Sequence, residues 1–298
     1  MGTRKAIATE RDLAFLAELG EVGLMTAAMI VTRYFGACSD KSNGERSFRR
    51  RMKLFIELGY VRAERVPFAG NKAGLVTIYR LTTDGAKSIA ALTGRQPSRA
   101  GASRDLNPVT VPHRLGVVAT RLAFDDAHRA LGLSCPEWLF EYDLALQPGP
   151  AAGNEKKFVL YESFCGERKR VACWPDAAAR IRPPDASEHE LLAYFEYDRS
   201  TETTGQFAAK VAGYRLLVSE QRYRRHWPQL MPRHTLRVLT VVRSEQRLRN
   251  LMEAIAQIDG AELFRFAVAN ALLSTASLTQ PIWQRVDGQK LAIFRASK

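Results

Sequence analysis

Cysteine is scarce in this 298-residue chain, and its four copies, Cys38, Cys135, Cys165 and Cys173, form no C-x-x-C pair and have no histidine at ligand spacing. That argues against a zinc module and against a dense disulfide framework, and leaves reduced core residues as the expectation. Long apolar runs are missing as well. No stretch approaches the roughly 18 residues of a membrane span, and the charged start, Met1 to Arg11, lacks the apolar run of a signal peptide. A cytoplasmic protein with no membrane partner is expected. Acid is the third deficit: 44 Lys plus Arg face 31 Asp plus Glu, for a formal charge of +13. Such an excess attracts polyanions, phosphate backbones among them, without regard to sequence, although a merely solvated basic face has the same arithmetic.

What is present suggests two domains. The chain is 46% hydrophobic, and at roughly 100–200 residues per domain its length divides in two. The first 100 residues hold 17 Lys/Arg and 9 Asp/Glu, a net +8, while the other 198 hold a net +5. The first third is therefore the polyanion-facing part. The stretch Arg95 to Pro112, with three prolines and two serines, reads as a linker. The expected division is 1–94, a linker over 95–112, and 113–298.

Thr9 is a plausible cap, with Asp12 three residues on, for a first helix through Leu13, Leu16 and Leu19. Gly20 and Gly23 break that helix, a second runs from Met25 to Phe35, and a third from about Glu45 to Leu58, stopped by Gly59. Two β-rich runs, Tyr60–Val66 and Leu75–Leu81, read as a hairpin with a basic tip, and a short helix spans Ala86 to Leu92. Three helices, a two-stranded wing and a closing helix make a winged helix-turn-helix. In the third helix Phe48, Met52, Phe55 and Ile56 share one face, and Arg46, Arg49, Arg50 and Lys53 the opposite one. A recognition helix in a major groove needs such a cationic face, and Lys72 at the wing tip would reach phosphate or minor groove.

Beyond the linker, Pro112–Leu131 reads as an amphipathic helix. Trp138–Leu146, Arg170–Ile181 and Glu190–Asp198 read as strands, Thr204–Arg222 as a helix, Thr235–Val242 as a buried strand, Glu245–Ile258 as a helix and Leu263–Ala269 as a last strand. That order gives a mixed α/β sheet. Alternation along a strand puts Glu196 and Asp198 on one face, where Asp176 can join them. Three carboxylates of this kind suit a hard cation such as Mg²⁺, which phosphodiester hydrolysis uses to generate hydroxide; Asp176 and Glu196 are the candidate metal ligands.

The order α, β-hairpin and strand, α, β, with Pro175-Asp176 and then Glu196-x-Asp198, resembles the PD-(D/E)xK restriction-endonuclease-like superfamily. The superfamily's lysine, two residues after the second acid, is replaced here by Asp198, and Lys210 on the next helix could supply a migrated ammonium. A fuller pattern covers nearly the whole chain: Tyr79-Arg-Leu-Thr-Thr-Asp-Gly85, His113 at a helix head, Trp174-Pro-Asp-Ala177, Phe195-Glu-Tyr-Asp-Arg-Ser-Thr-Glu202 and Lys210-Val-Ala-Gly-Tyr214. It looks like the bacterial replication-relaxation family of plasmids and other mobile elements. The resemblance implies a DNA-binding protein of plasmid replication, mobilisation or their control, with a nuclease-like second domain.

Two classes of function follow. In one, the protein recognises double-stranded DNA through the winged helix, and the second domain serves dimerisation, DNA clamping or contact with replication or mobilisation proteins; a homodimer is expected, and a repressor with a nuclease-like scaffold is a variant of it. In the other, the protein is a Mg²⁺-dependent endonuclease or nickase in which Asp176, Glu196, Asp198 and Lys210 are catalytic. The same acids also suit ion pairs with Arg199, Lys210 or Arg180 that hold sheet to helix.

Overall fold

A computed structural model describes residues 9–36, 41–67, 74–94, 107–144, 158–165, 170–183, 189–272 and 276–294. Contacts divide the chain into two compact units, Met1–Val118 and Ala119–Lys298. It is a mixed α/β protein with helices and several sheets. Among the described residues no helix is long and apolar enough to cross a membrane.

The first unit opens with α1, Glu10–Val22, capped reciprocally by Thr9 and Asp12. The helix runs through the buried Gly20, contrary to the expected break there, and stops at Gly23, whose φ of +80° suits glycine. The expected second helix is in three parts: Met25–Thr26 is a strand, β1, followed by α2, Ala27–Ile30, and a wider π-type turn over Val31–Phe35. Helix α3 spans Lys41–Glu57, β2 Val61–Pro67, β3 Leu75–Leu81 and α4 Thr83–Thr93. Because β1 joins the hairpin, the sheet has three antiparallel strands in the order β1-β3-β2. The hairpin tip with Lys72, and most of the expected linker, lie outside the described residues. Helix α5, Val111–Ala130, begins in this unit, where Val111 and Leu115 are buried with Leu24, Val66 and Ile78.

Phe15, Phe35, Phe48 and Phe55 add aromatic contacts to a largely aliphatic core. Phe48 meets Phe35 and Tyr79 edge-on at centroid distances of 5.8 and 5.5 Å. Thr82 caps α4 by accepting from the Gly85 amide. A Cβ on Gly85 would lie 2.1 Å from the Tyr60 carbonyl oxygen, so only glycine lets α4 start this close to the strand.

The second unit is built on a seven-stranded sheet. Its strands are β4 Glu137–Phe140, β7 Ala177–Ile181, β8 His189–Asp198, β9 Arg233–Val242, β10 Phe264–Val268, β11 Trp283–Gln284 and β12 Lys290–Leu291, in the order β12-β11-β10-β9-β8-β7-β4. The central β8, β9 and β10 are parallel, and the flanking pairs antiparallel. A separate hairpin pairs β5, Glu162–Cys165, with β6, Arg170–Cys173. Residues 170–181 are thus two strands in two sheets rather than the single strand expected, since Pro175 has no N–H to continue a ladder. Pairing resumes where the Asp176 amide donates to the Phe195 carbonyl at 3.1 Å. Helices α6, Thr204–Ser219, and α8, Glu245–Ile255, pack together on one face of the sheet, with the short α7, Tyr223–His226, between them in sequence. Cys173 is buried as expected, but Cys135 and Cys165 are exposed, outside the core.

Candidate functional site

Helix α3 separates apolar from cationic residues along its length. Phe48, Met52 and Phe55 are buried, while Arg46, Arg49, Arg50 and Lys53 are exposed. The helical period assigns Ile56 to the buried face, yet it is 41% exposed; at the last turn the helix has outrun its partners. Two of the four cations are partly neutralised one turn away, Arg49 by Glu45 at 2.9 Å and Lys53 by Glu57 at 3.8 Å. Among the described residues no carboxylate lies within 4.0 Å of Arg46 or Arg50. Arg51 turns inward to pair with the buried carboxylate of Asp12. Burial raises the pKa of Asp12, but hydrogen bonds from Thr9 and Arg51 and the charge of Arg51 outweigh it and hold the carboxyl below the usual range. That pair ties α3 to α1 and leaves the outer face to the other four cations.

In the second unit, alternation along β8 sends Glu196 and Asp198 to the face covered by α6 and α8, but to different partners. Glu196 is 3% exposed. Its Oε2 accepts from Lys210 Nζ at 2.7 Å and its Oε1 from the Tyr214 hydroxyl. Lys210 and Tyr214 are four residues apart on α6 and so share a face, and Lys210 also meets Glu202 at 3.0 Å. Gly213 brings that face down: a Cβ there would lie 2.6 Å from the Ala172 carbonyl oxygen.

Asp176 joins this group from the head of β7. Its Oδ2 accepts from the Tyr197 amide at 2.6 Å, and its charge acts on both Glu196 and Lys210. Burial raises the Glu196 carboxyl to about 7; Lys210 and the Tyr214 hydrogen bond oppose the rise, and Asp176 adds to it. Burial would lower the Lys210 ammonium, but Glu196, Asp176 and Glu202 together raise it. Tyr214, buried beside Glu196, is raised well above its ordinary value and keeps its proton.

Asp198 is taken elsewhere. Arg247 on α8 holds it through two hydrogen bonds, Nε to Oδ1 at 2.9 Å and Nη2 to Oδ2 at 2.7 Å, and the Ser200 amide donates to Oδ1. The structure therefore groups Asp176, Glu196 and Lys210 and leaves Asp198 in a separate pair. Sequence reasoning missed Arg247, forty-nine residues from its partner. It also missed the buried Glu162, which draws Arg225 to 3.1 Å, Arg222 to 3.6 Å and His226 to 3.6 Å.

A hard divalent cation wants carboxylate oxygens free to coordinate it. Both oxygens of Glu196 accept from Lys210 and Tyr214, and both of Asp198 from Arg247. As arranged, Glu196 and Asp198 are neutralised by an ammonium and a guanidinium from within the fold.

Fold and sites together define a mixed α/β protein of two units, one with an exposed cationic helix and the other with a buried acid–lysine–tyrosine group. The chain belongs to the replication-relaxation family, whose model matches residues 16–230, and this associates it with replication or mobilisation. Among curated proteins and among solved structures no match is found. The matched stretch contains α3, Asp176, Glu196, Asp198, Lys210 and Tyr214; Arg247 lies beyond it.

Proposed function

We propose that the protein binds double-stranded DNA through its first unit, read as a winged helix-turn-helix with α3 as the recognition helix, in plasmid or mobile-element replication, mobilisation or their transcriptional control. The observation that carries this reading is the outer face of α3, where Arg46 and Arg50 are exposed with no acidic partner among the described residues, opposite a buried Phe48/Met52/Phe55 face. Phosphate and guanine edges are the chemistry such guanidiniums recognise. The second unit, read as restriction-endonuclease-like, is a scaffold for dimerisation, clamping or partner contact, a reading supported by the neutralisation of Glu196 and Asp198 from within the fold. The test is duplex binding by the full chain across a salt series. Changing Arg46 and Arg50 to Ala should weaken binding and lower the salt slope by about one for each phosphate no longer neutralised. An unchanged affinity and slope would remove α3 from the account.

One observation favours a second reading, a Mg²⁺-dependent endonuclease or nickase: Asp176 and Glu196 stand at the ends of adjacent strands with Lys210 of α6 beside them, the residue types that such chemistry requires. In that reading Asp176 and Glu196 hold the metal, and Lys210 steadies the attacking hydroxide.

A further inference from the structure

The face of the second sheet opposite Glu196 bounds a cavity of about 260 Å³. Leu239, Trp283, Ile293 and Phe294 form apolar walls, and Arg237 and Arg265 bring two cations to it. The arginines stand on adjacent parallel strands: Arg265 is in register with Leu239, two residues past Arg237 on the same face of β9. Both are half-buried. Arg237 Nη1 donates to its neighbour's carbonyl, Leu236 O, at 2.7 Å, and Arg265 Nη1 to the carbonyls of Glu262 and Phe264 at 2.8 and 2.6 Å. Among the described residues no carboxylate comes within 4.0 Å of either guanidinium. Burial lowers both arginines; repulsion from Arg237 and Arg285 helps to push Arg265 down to about 10, with Asp287 and Glu262 only partly offsetting it. Two half-buried like charges that repel each other beside an apolar cavity are relieved by an anion seated between them.

We propose that this cavity binds a small amphipathic anion, one carboxylate or phosphate group on an aromatic or branched apolar body, with Arg237 and Arg265 on the acid and Trp283 and Phe294 against the body. The size is in keeping, since an apolar cavity of about 150 Å³ takes benzene, and the remainder leaves room for the acid group. Two planar guanidiniums supply the donor forks that a carboxylate or phosphate accepts. The six residues named lie beyond residue 230, outside the stretch matched by the family model. Pro183, His189 and Leu191 complete the lining from within that stretch, and the proposal does not rest on the DNA-binding reading.

Calorimetric titration of the full chain with benzoate and with phenyl phosphate tests the proposal, with inorganic phosphate and benzyl alcohol as probes that each lack one half of the ligand. At least one of the two aromatic anions should bind saturably at one per chain, and the preferred one names the head group. Each half-probe should bind about tenfold or more weakly. Arg237→Met and Arg265→Met should each weaken the preferred anion about tenfold or more. Ile293→Trp, which fills the cavity and leaves every charge in place, should abolish binding even if the arginine variants fail to fold. No saturable binding by either anion at about 10 mM, too weak for a built site, overturns the proposal. So does inorganic phosphate binding as tightly as phenyl phosphate, or an affinity unchanged in folded Ile293→Trp.

Discussion

The Lys210 ammonium reaches Glu196 from the next helix, 2.7 Å from Oε2. A lysine two residues beyond the acid would project from the strand itself, where this chain has Asp198. Delivering the charge from α6 makes the acid–lysine contact depend on how closely that helix lies on the sheet and on the adjacent hairpin. Gly213, three residues along the helix, permits the approach to Ala172.

Gly213 and Gly85 are accordingly expected to tolerate no side chain. Their added Cβ atoms would meet the Ala172 and Tyr60 carbonyl oxygens at 2.6 and 2.1 Å, and backbone cannot swing aside as a flexible side chain can. Gly213→Ala and Gly85→Ala should each destabilise by about 1–3 kcal/mol through overpacking. Gly205, also helical, has nothing within 4 Å of an added Cβ. Gly205→Ala should stabilise by about 0.4–1 kcal/mol through the reduced entropy of the unfolded chain. Denaturant unfolding of the three variants measures the contrast; equal effects at all three would refute the close-approach account.

The same glycines show how the fold was legible. Both fall in motifs that carried the resemblance, and their part there is steric, a relation that emerges only once α4 and α6 have been laid on their neighbours. The amphipathic period of α3 identifies Phe48, Met52 and Phe55 correctly because burial follows helical geometry, and it fails at Ile56 because burial also needs a neighbour. Arg170–Ile181 looks like one strand because its residue types suit a strand on both sides of Pro175, although one missing N–H is enough to part the sheets. The two-residue spacing of Glu196 and Asp198 places them on one face, but a shared face is broader than a shared partner. Arg247 comes from α8, forty-nine residues on, and the amphipathic pattern of that helix marks its buried Leu248, Leu251 and Ile255 but not the partner of its arginine.

Glu196 makes stability depend on pH. Its folded pKa of about 7 stands above the 4.5 of an ordinary glutamate. The native state therefore holds this proton more tightly than the unfolded chain does. The resulting contribution to stability is fully present below about pH 4.5 and is lost as pH rises through 7. Glu196→Gln removes that titration. The stability of the wild type relative to the variant should fall between about pH 5 and 8, by on the order of 3 kcal/mol at roughly 1.4 kcal/mol per pK unit. Urea unfolding of both proteins across this window checks it, and a difference that stays flat or rises with pH contradicts the raised carboxyl.

The two readings of the second unit part on what a divalent cation does. For Mg²⁺ to sit between Asp176 and Glu196 it must share Glu196 oxygens that now accept from Lys210 and Tyr214. It must also approach an ammonium already 2.7 Å from Glu196, a like-charge contact made more costly by burial. In the scaffold reading the ammonium does the neutralising. Purified protein in Mg²⁺ or Mn²⁺ should then leave supercoiled plasmid intact, and Glu196→Gln, which alters only the buried group, should keep duplex affinity within about twofold because α3 is untouched. In the enzyme reading the wild type nicks the plasmid and Glu196→Gln and Lys210→Met each abolish nicking, while salt-dependent binding persists. Metal-dependent nicking that disappears in both variants would assign Asp176, Glu196 and Lys210 to catalysis and displace the scaffold.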